Sequence, residues 1–220
     1  MISGDTNGTV WVFLRTGSKE KPKLAEGYQV KAARKTITDE TNIYKNVDGK
    51  RVVDKTIPAN HELAGPYSKL HYADWDGDGL DDLLIGQLNN IVFYKNVGSR
   101  SKPEFIDPVE IKNADGKFPD RSSPYVFDWD GDGKNDMVIG TEKGTLFFYR
   151  NTGKAGSPKL GNAEEIKLEP EVFYNGYRHR IEITDWNNDG KIDLLVGDRY
   201  FNRSDGSNDN GGNIWLFLGK

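Results

Sequence analysis

Three segments of this chain carry oxygen-rich side chains at one fixed spacing. The first, Asp74-Trp75-Asp76-Gly77-Asp78-Gly79-Leu80-Asp81-Asp82, runs on into Leu83-Leu84-Ile85-Gly86. The pattern returns at Asp128 to Gly140 and at Asp185 to Gly197. In each copy acidic or amide side chains hold loop positions 1, 3, 5 and 9, and Gly holds position 6. Alternate side chains that turn inward, with Gly allowing a sharp bend, make a cage of hard oxygen ligands suited to Ca²⁺. Two unit charges about 5 Å apart repel by roughly 3 kcal/mol at an effective dielectric of about 20. A divalent cation removes that cost. An acidic surface turn accounts for one such segment far better than for three in phase.

The expected ligands follow from the spacing. In the first loop they are Asp74, Asp76, Asp78, the Leu80 carbonyl and Asp82. In the second they are Asp128, Asp130, Asp132, the Lys134 carbonyl and Asp136. In the third they are Asp185, Asn187, Asp189, the Lys191 carbonyl and Asp193. The third set has one carboxylate fewer and is expected to bind most weakly. The loop is not an EF-hand, which needs Glu at position 12 between two helices. Position 12 here is Ile85, Ile139 or Val196, and the flanks alternate like strands.

The elements around the loops repeat as well. Asp74 and Asp128 are 54 residues apart, and Asp128 and Asp185 are 57 apart. Each loop leads into an apolar strand ending in Gly86, Gly140 or Gly197. A short turn then leads to an aromatic-rich strand: Ile91 to Tyr94, Leu146 to Tyr149, or Ile214 to Phe217. Two copies continue with Asn-x-Gly and a later Pro: Asn96, Gly98 and Pro103, then Asn151, Gly153 and Pro158. The N-terminus fits the same frame, since Met1 to Gly4 matches Met137 to Gly140 and Val10 to Phe13 matches the aromatic strand. With a strand before each loop and another near Val109 to Ile111 or Glu165 to Lys167, each unit holds four short strands. All-β units at this period predict a β-propeller with one unit per blade, about four blades in all. The units run about 1–82, with an insertion at about 34–60, then 83–136, 137–193 and a partial 194–220. Within the insertion, Tyr44 to Val53 reads as a hairpin around Asn46-Val47-Asp48-Gly49.

The loop and its trailing apolar-apolar-apolar-Gly resemble the FG-GAP/VCBS class of calcium-binding β-propeller repeat, known from integrin α-subunits and many secreted bacterial proteins. The likeness covers nearly the whole chain outside about 34–60. It implies Ca²⁺ in each of the three loops. It implies no reaction, because the class includes adhesins, lectins, lyases and structural modules.

Composition narrows the function classes. The net charge of −4 is concentrated in the loops, and three Ca²⁺ would turn it positive. Lys and Arg are scattered with no basic stripe, which disfavours nucleic acid. No apolar run approaches the ~18 residues of a membrane span. There is no Cys, so disulfides, thiol catalysis and Cys-type zinc sites are excluded. Loops of this kind work at ~10⁻⁴–10⁻³ M Ca²⁺, so an extracellular, cell-surface or periplasmic setting is expected.

In the repeat frame, Met1 and Lys220 both fall in mid-blade, so a fragment or part of a larger propeller is expected. Its terminal strands, Met1–Ile2 and Trp215–Leu218, would pair with another chain or with the rest of a longer protein.

Antiparallel strands place the calcium loops on one face of the repeat array and the remaining loops on the other, where a glycan or protein ligand is expected. Arg121 and Arg178 sit there, seven residues before their loops, with Tyr67 at the equivalent earlier position. Two readings stand for the Arg pair: neutralising a neighbouring carboxylate, or recognising an acidic sugar through the bidentate guanidinium. Arg199 to Gly212 enlarges one turn on this face. Trp75, Trp129 and Trp186, all at loop position 2, are expected to pack between blades. His61, His71 and His179 occupy no equivalent positions and carry no expected catalytic role. A non-catalytic binding module is the first expectation. The propeller portion of a polysaccharide lyase or hydrolase, or a structural assembly repeat, are the alternatives. No general base recurs beside the Arg residues, and no G-x-S-x-G motif is present.

Overall fold

The computed structural model describes residues 1–4, 10–32, 35–38, 44–48, 50–53, 62–63, 69–87, 90–106, 108–119, 121–168, 176–201 and 210–220. These residues are all-β, with no helix among them. The chain divides into two compact units, Met1–Ala73 with Gly79–Ile111, and Asp74–Asp78 with Lys112–Lys220.

In the first unit, β1 (Ile2–Gly4), β2 (Val10–Val12) and β5 (Tyr28–Gln29) form one sheet. Between them β3 (Arg15–Gly17) and β4 (Pro22–Leu24) make a small hairpin. β6 (Lys31–Ala32) leads into the insertion, which supplies β7 (Lys35–Thr38), β8 (Tyr44–Val47) and β9 (Lys50–Val53), and β10 (Glu62–Leu63) follows it. As expected, β8 and β9 form a hairpin, with Val47 opposite Lys50 and Asp48 in the left-handed region at φ +50°. A four-stranded meander follows: β11 (Lys69–Ala73), β12 (Asp82–Gly86), β13 (Ile91–Tyr94) and β14 (Val109–Ile111). Period-2 alternation sends Leu83, Ile85, Val92 and Tyr94 to one face. There they close a core with Val10 and Val30 of the first sheet.

The second unit repeats the meander. β15 (Ser123–Phe127), β16 (Asp136–Gly140), β17 (Leu146–Tyr149) and β18 (Glu164–Ile166) pair in sequence order. β19 (Tyr177–Thr184) and the nine-residue β20 (Asp193–Phe201) begin the last sheet. β20 pairs with β22 (Ile214–Phe217) through Leu194–Gly197, and with β21 (Asn210–Gly211) through Tyr200 and Phe201. The enlarged turn at Arg199 to Gly212 thus starts as an extended hairpin, and its residues 202–209 lie outside the described residues. Val138, Leu146 and Phe148 of one sheet pack against Ile183, Leu194 and Val196 of the next. Gly140 at the end of β16 is required by close approach: a Cβ there would stand 2.5 Å from the His179 carbonyl oxygen.

Candidate metal centre

Each acidic loop connects the first two strands of a sheet: β11 to β12, β15 to β16, and β19 to β20. The aspartate at position 1 shapes the turn. Asp74 Oδ1 accepts the amides of Gly77 and Asp78 at 2.8 and 3.0 Å. Asp128 Oδ2 accepts that of Gly133 at 3.0 Å. Asp185 accepts those of Asp189 and Gly190 at 3.0 and 2.9 Å. Positions 4 and 6 both take left-handed backbone: Gly77 (+76°) and Gly79 (+89°), Gly131 (+73°) and Gly133 (+84°), Asn188 (+58°) and Gly190 (+83°). Asn is the side-chain-bearing residue that tolerates this region best, which accounts for Asn188. Nothing lies within 4 Å of a Cβ built on Gly79, Gly131, Gly133 or Gly190, so conformation and not space demands glycine there.

The turns gather carboxylates. Ligand atoms of Asp74, Asp76 and Asp78 lie within 4.8 Å of one another, as do those of Asp128, Asp130 and Asp136. Asp128 Oδ1 is buried with no hydrogen-bond partner. A buried, unpaired carboxylate oxygen beside two more carboxylates fits a hard cation and is costly without one. In the third loop Asn187 donates from Nδ2 to Asp189 at 3.1 Å and accepts the Asp189 amide at 3.0 Å. Protein cations also reach the second loop. Arg150 pairs with Asp130, and Lys134 Nζ lies 2.7 Å from Asp132. The hydrogen bond from Lys134 holds the Asp132 carboxyl below the usual carboxylate range.

Position 9 does more than its spacing indicates. Asp82, Asp136 and Asp193 are fully buried. Their Oδ1 atoms accept the amides of Asn96, Asn151 and Gly219 at 2.8, 2.7 and 2.8 Å. Oδ2 of Asp136 and Asp193 accepts the position-2 amides of Trp129 and Trp186 at 3.1 and 2.8 Å. Each of these carboxylates ties its loop to the end of the aromatic strand. Burial pushes the Asp136 carboxyl up, the two amides pull it down, and the charges of Asp132 and Asp128 raise it further. The Asn-x-Gly repeat completes the bracket. Asn96 accepts the amides of Gly98 and Glu104 and donates to the Asp81 carbonyl, and Asn151 does the same with Gly153, Lys159 and the Asn135 carbonyl. Recurrence marked these asparagines in the sequence, while their role needed the fold.

In the second unit a cavity of about 270 Å³ lies between Asp74–Gly77, Gly133–Asn135 and the turn Asn151–Pro158. The Gly156 amide donates to the Asp76 carbonyl at 2.6 Å. Trp75 lines this cavity and is 3 % exposed. Trp129 stacks obliquely on Phe148 with ring centres 5.9 Å apart. Trp186 departs from the expected inter-blade role: it is 58 % exposed.

Arg121 and Arg178 do meet, with Glu142 between them. Arg121 Nη1 and Arg178 Nε lie 3.2 and 2.8 Å from the same Oε1. Both Arg residues have left-handed backbones, at +51° and +61°. Glu142 sits on the turn from β16 to β17, the side expected from strand antiparallelism. The arrangement favours charge neutralisation within the protein over an open anion site. Tyr67 and His61 lie outside the described residues.

Repeated β-meanders, each carrying an acidic loop between its first two strands, define an all-β repeat protein. A model of the FG-GAP-like repeat matches residues 74–139 and 128–196, and the chain belongs to that family. No curated protein matches it. Among solved structures it is similar to a mutant form of the Photorhabdus luminescens Tc holotoxin pore, at 13% identity and a TM-score of 0.38. The alignment covers 99% of this chain and 11% of that one, so the chain spans about a tenth of its length.

Proposed function

We propose that this chain is a non-catalytic, calcium-stabilised β-propeller module that binds glycan or protein outside the cytoplasm. The observation that carries the metal assignment is the buried, unpaired Asp128 Oδ1 facing a carboxylate-rich turn that recurs in phase. The donor sets are all oxygen, which suits Ca²⁺ over softer metals. Asp74, Asp76 and Asp78 would hold one ion, Asp128, Asp130 and Asp136 a second, and Asp185, Asn187, Asp189 and Asp193 a weaker third. Bound Ca²⁺ supplies the counter-charge that lets these turns stay folded. The surrounding residues do the rest: left-handed glycines aim the carboxylates, and the position-9 aspartates anchor the turns to the sheet. The family and the successive meanders support the propeller reading. Asp130→Ala removes a central ligand of the second cluster. One ion should be lost in native mass spectrometry at millimolar Ca²⁺, while the other two stay bound. Retention of all three would contradict the assignment of Asp130. A glycan array run with and without Ca²⁺ tests the binding role. Reproducible binding to one sugar class supports it, whereas turnover of acidic polysaccharides would overturn the non-catalytic reading.

A further inference from the structure

We propose that Arg150 is a built-in counter-cation of the second acidic loop, which pairs with Asp130 and competes with Ca²⁺ for it. The inference rests on the calcium reading above and adds the residue that sets the affinity of one loop. Asp130 stands at loop position 3, and its carboxylate belongs to the second cluster with those of Asp128 and Asp136. Arg150 Nη1 pairs with the same carboxylate, at Oδ2. All four residues lie in the second compact unit. Three carboxylates with ligand atoms within 4.8 Å of one another repel when no cation is near. A guanidinium on one of them supplies part of the missing charge, and a metal ion at the same place has to displace it.

The fold delivers Arg150 to this place. β17 runs antiparallel to β16 with Tyr149 opposite Met137, so Arg150 leaves its strand beside the end of the loop. Its backbone is fixed on both sides. The Arg150 carbonyl accepts the Gly161 amide at 2.9 Å, and the next amide, that of Asn151, donates to Asp136 Oδ1 at 2.7 Å. The side chain is less confined, at 46 % exposed against 19 % for that of Asp130. Its Cζ also lies 5.5 Å from the centre of the Phe148 ring. An aromatic face attracts a guanidinium, so Phe148 remains a partner once the carboxylate is taken.

The repeats supply an independent observation. The residue after the aromatic strand is Lys95, Arg150 or Leu218, and loop position 3 is Asp76, Asp130 or Asn187. A cation follows the strand in both copies whose position 3 is a carboxylate. Where position 3 is a neutral amide, the strand-end residue is neutral too. Charge at one position thus tracks charge at the other, which packing alone does not require.

Arg150→Gln removes the competing charge and keeps most of the side-chain stem. In calorimetric titration of the chelator-stripped chain with CaCl₂, one ion should bind roughly fivefold more tightly than in the native chain, the worth of one partly exposed ion pair. In EGTA the same variant should melt below the native chain, because the cluster has lost its counter-charge. Arg150→Lys keeps the charge and should stay within about twofold of the native affinity. Asp130→Asn combined with Arg150→Gln should titrate like Asp130→Asn alone, which places the effect at this loop. If the native chain binds Ca²⁺ and Arg150→Gln binds it no more tightly, the proposal is overturned and the calcium reading stands. Equal tightening by the glutamine and lysine variants overturns it too, as does a double variant that binds more tightly than Asp130→Asn. A native chain that binds no Ca²⁺ overturns both readings.

Discussion

At the residue scale, position 9 of the loop carries a structural duty beside its proposed place in a metal set. Asp136 is fully buried and takes two backbone amides, so its loss leaves one buried and one half-buried donor unpaired. At roughly 1–3 kcal/mol for each stranded group, Asp136→Ala should cost about 2–4 kcal/mol even in chelator, where metal plays no part. Urea unfolding in EDTA measures it, and a loss under about 0.5 kcal/mol would show the bracket to be incidental. His179 gives the second residue-scale expectation. It is fully buried, its amide donates to Thr141, and burial pushes its imidazole pKa down, with Asp198 opposing. The unfolded chain takes up the proton near pH 6.5 and the folded chain resists it, so stability falls as pH drops below that point. The slope is at most about 1.4 kcal/mol per pH unit, and His179→Gln should flatten it. Equal slopes for the two proteins between pH 7 and 5 would assign the acid sensitivity elsewhere. The position-1, -3 and -5 carboxylates could be read from spacing alone. The Asn96 and Asn151 brackets, the shared Glu142 and the burial of His179 could not, because each joins residues from separate strands or sheets.

At the element scale, local sequence determines the loops more strongly than their surroundings do. Nothing crowds a Cβ at Gly133, but its φ is +84°. Gly133→Ala should cost about 1–2 kcal/mol from left-handed backbone strain alone. Gly131→Asn should be close to neutral, since Asn188 already holds that position in the third loop. Melting both variants in chelator tests this, and equal destabilisation would contradict the conformational explanation. The strands were legible for a related reason: their apolar runs are in phase with the loops, and β12 and β16 are buried on both faces. The expected hairpin at Tyr44 to Val53 formed with Asp48 in the left-handed region, which Asp tolerates better than most residues. Trp186 broke the pattern set by Trp75. Position 2 repeats in sequence, while burial there depends on what another repeat lays over it, such as the turn Asn151–Pro158 over the first loop.

At the scale of the whole molecule, the proposed metal binding and folding form one equilibrium. Three carboxylate-bearing loops sit at strand junctions, so ions that bind only the folded chain stabilise it by mass action. Each site adds about 2.7 kcal/mol when free Ca²⁺ is a hundred times its Kd. The most direct measurement is calorimetric titration of the chelator-stripped chain with CaCl₂, paired with melting curves in Ca²⁺ and in EGTA. Saturable binding that approaches three ions per chain, the last one weakest, and a melting temperature that falls in EGTA are the expected results. A flat titration up to millimolar Ca²⁺, with the same melting curve in EGTA, would contradict it.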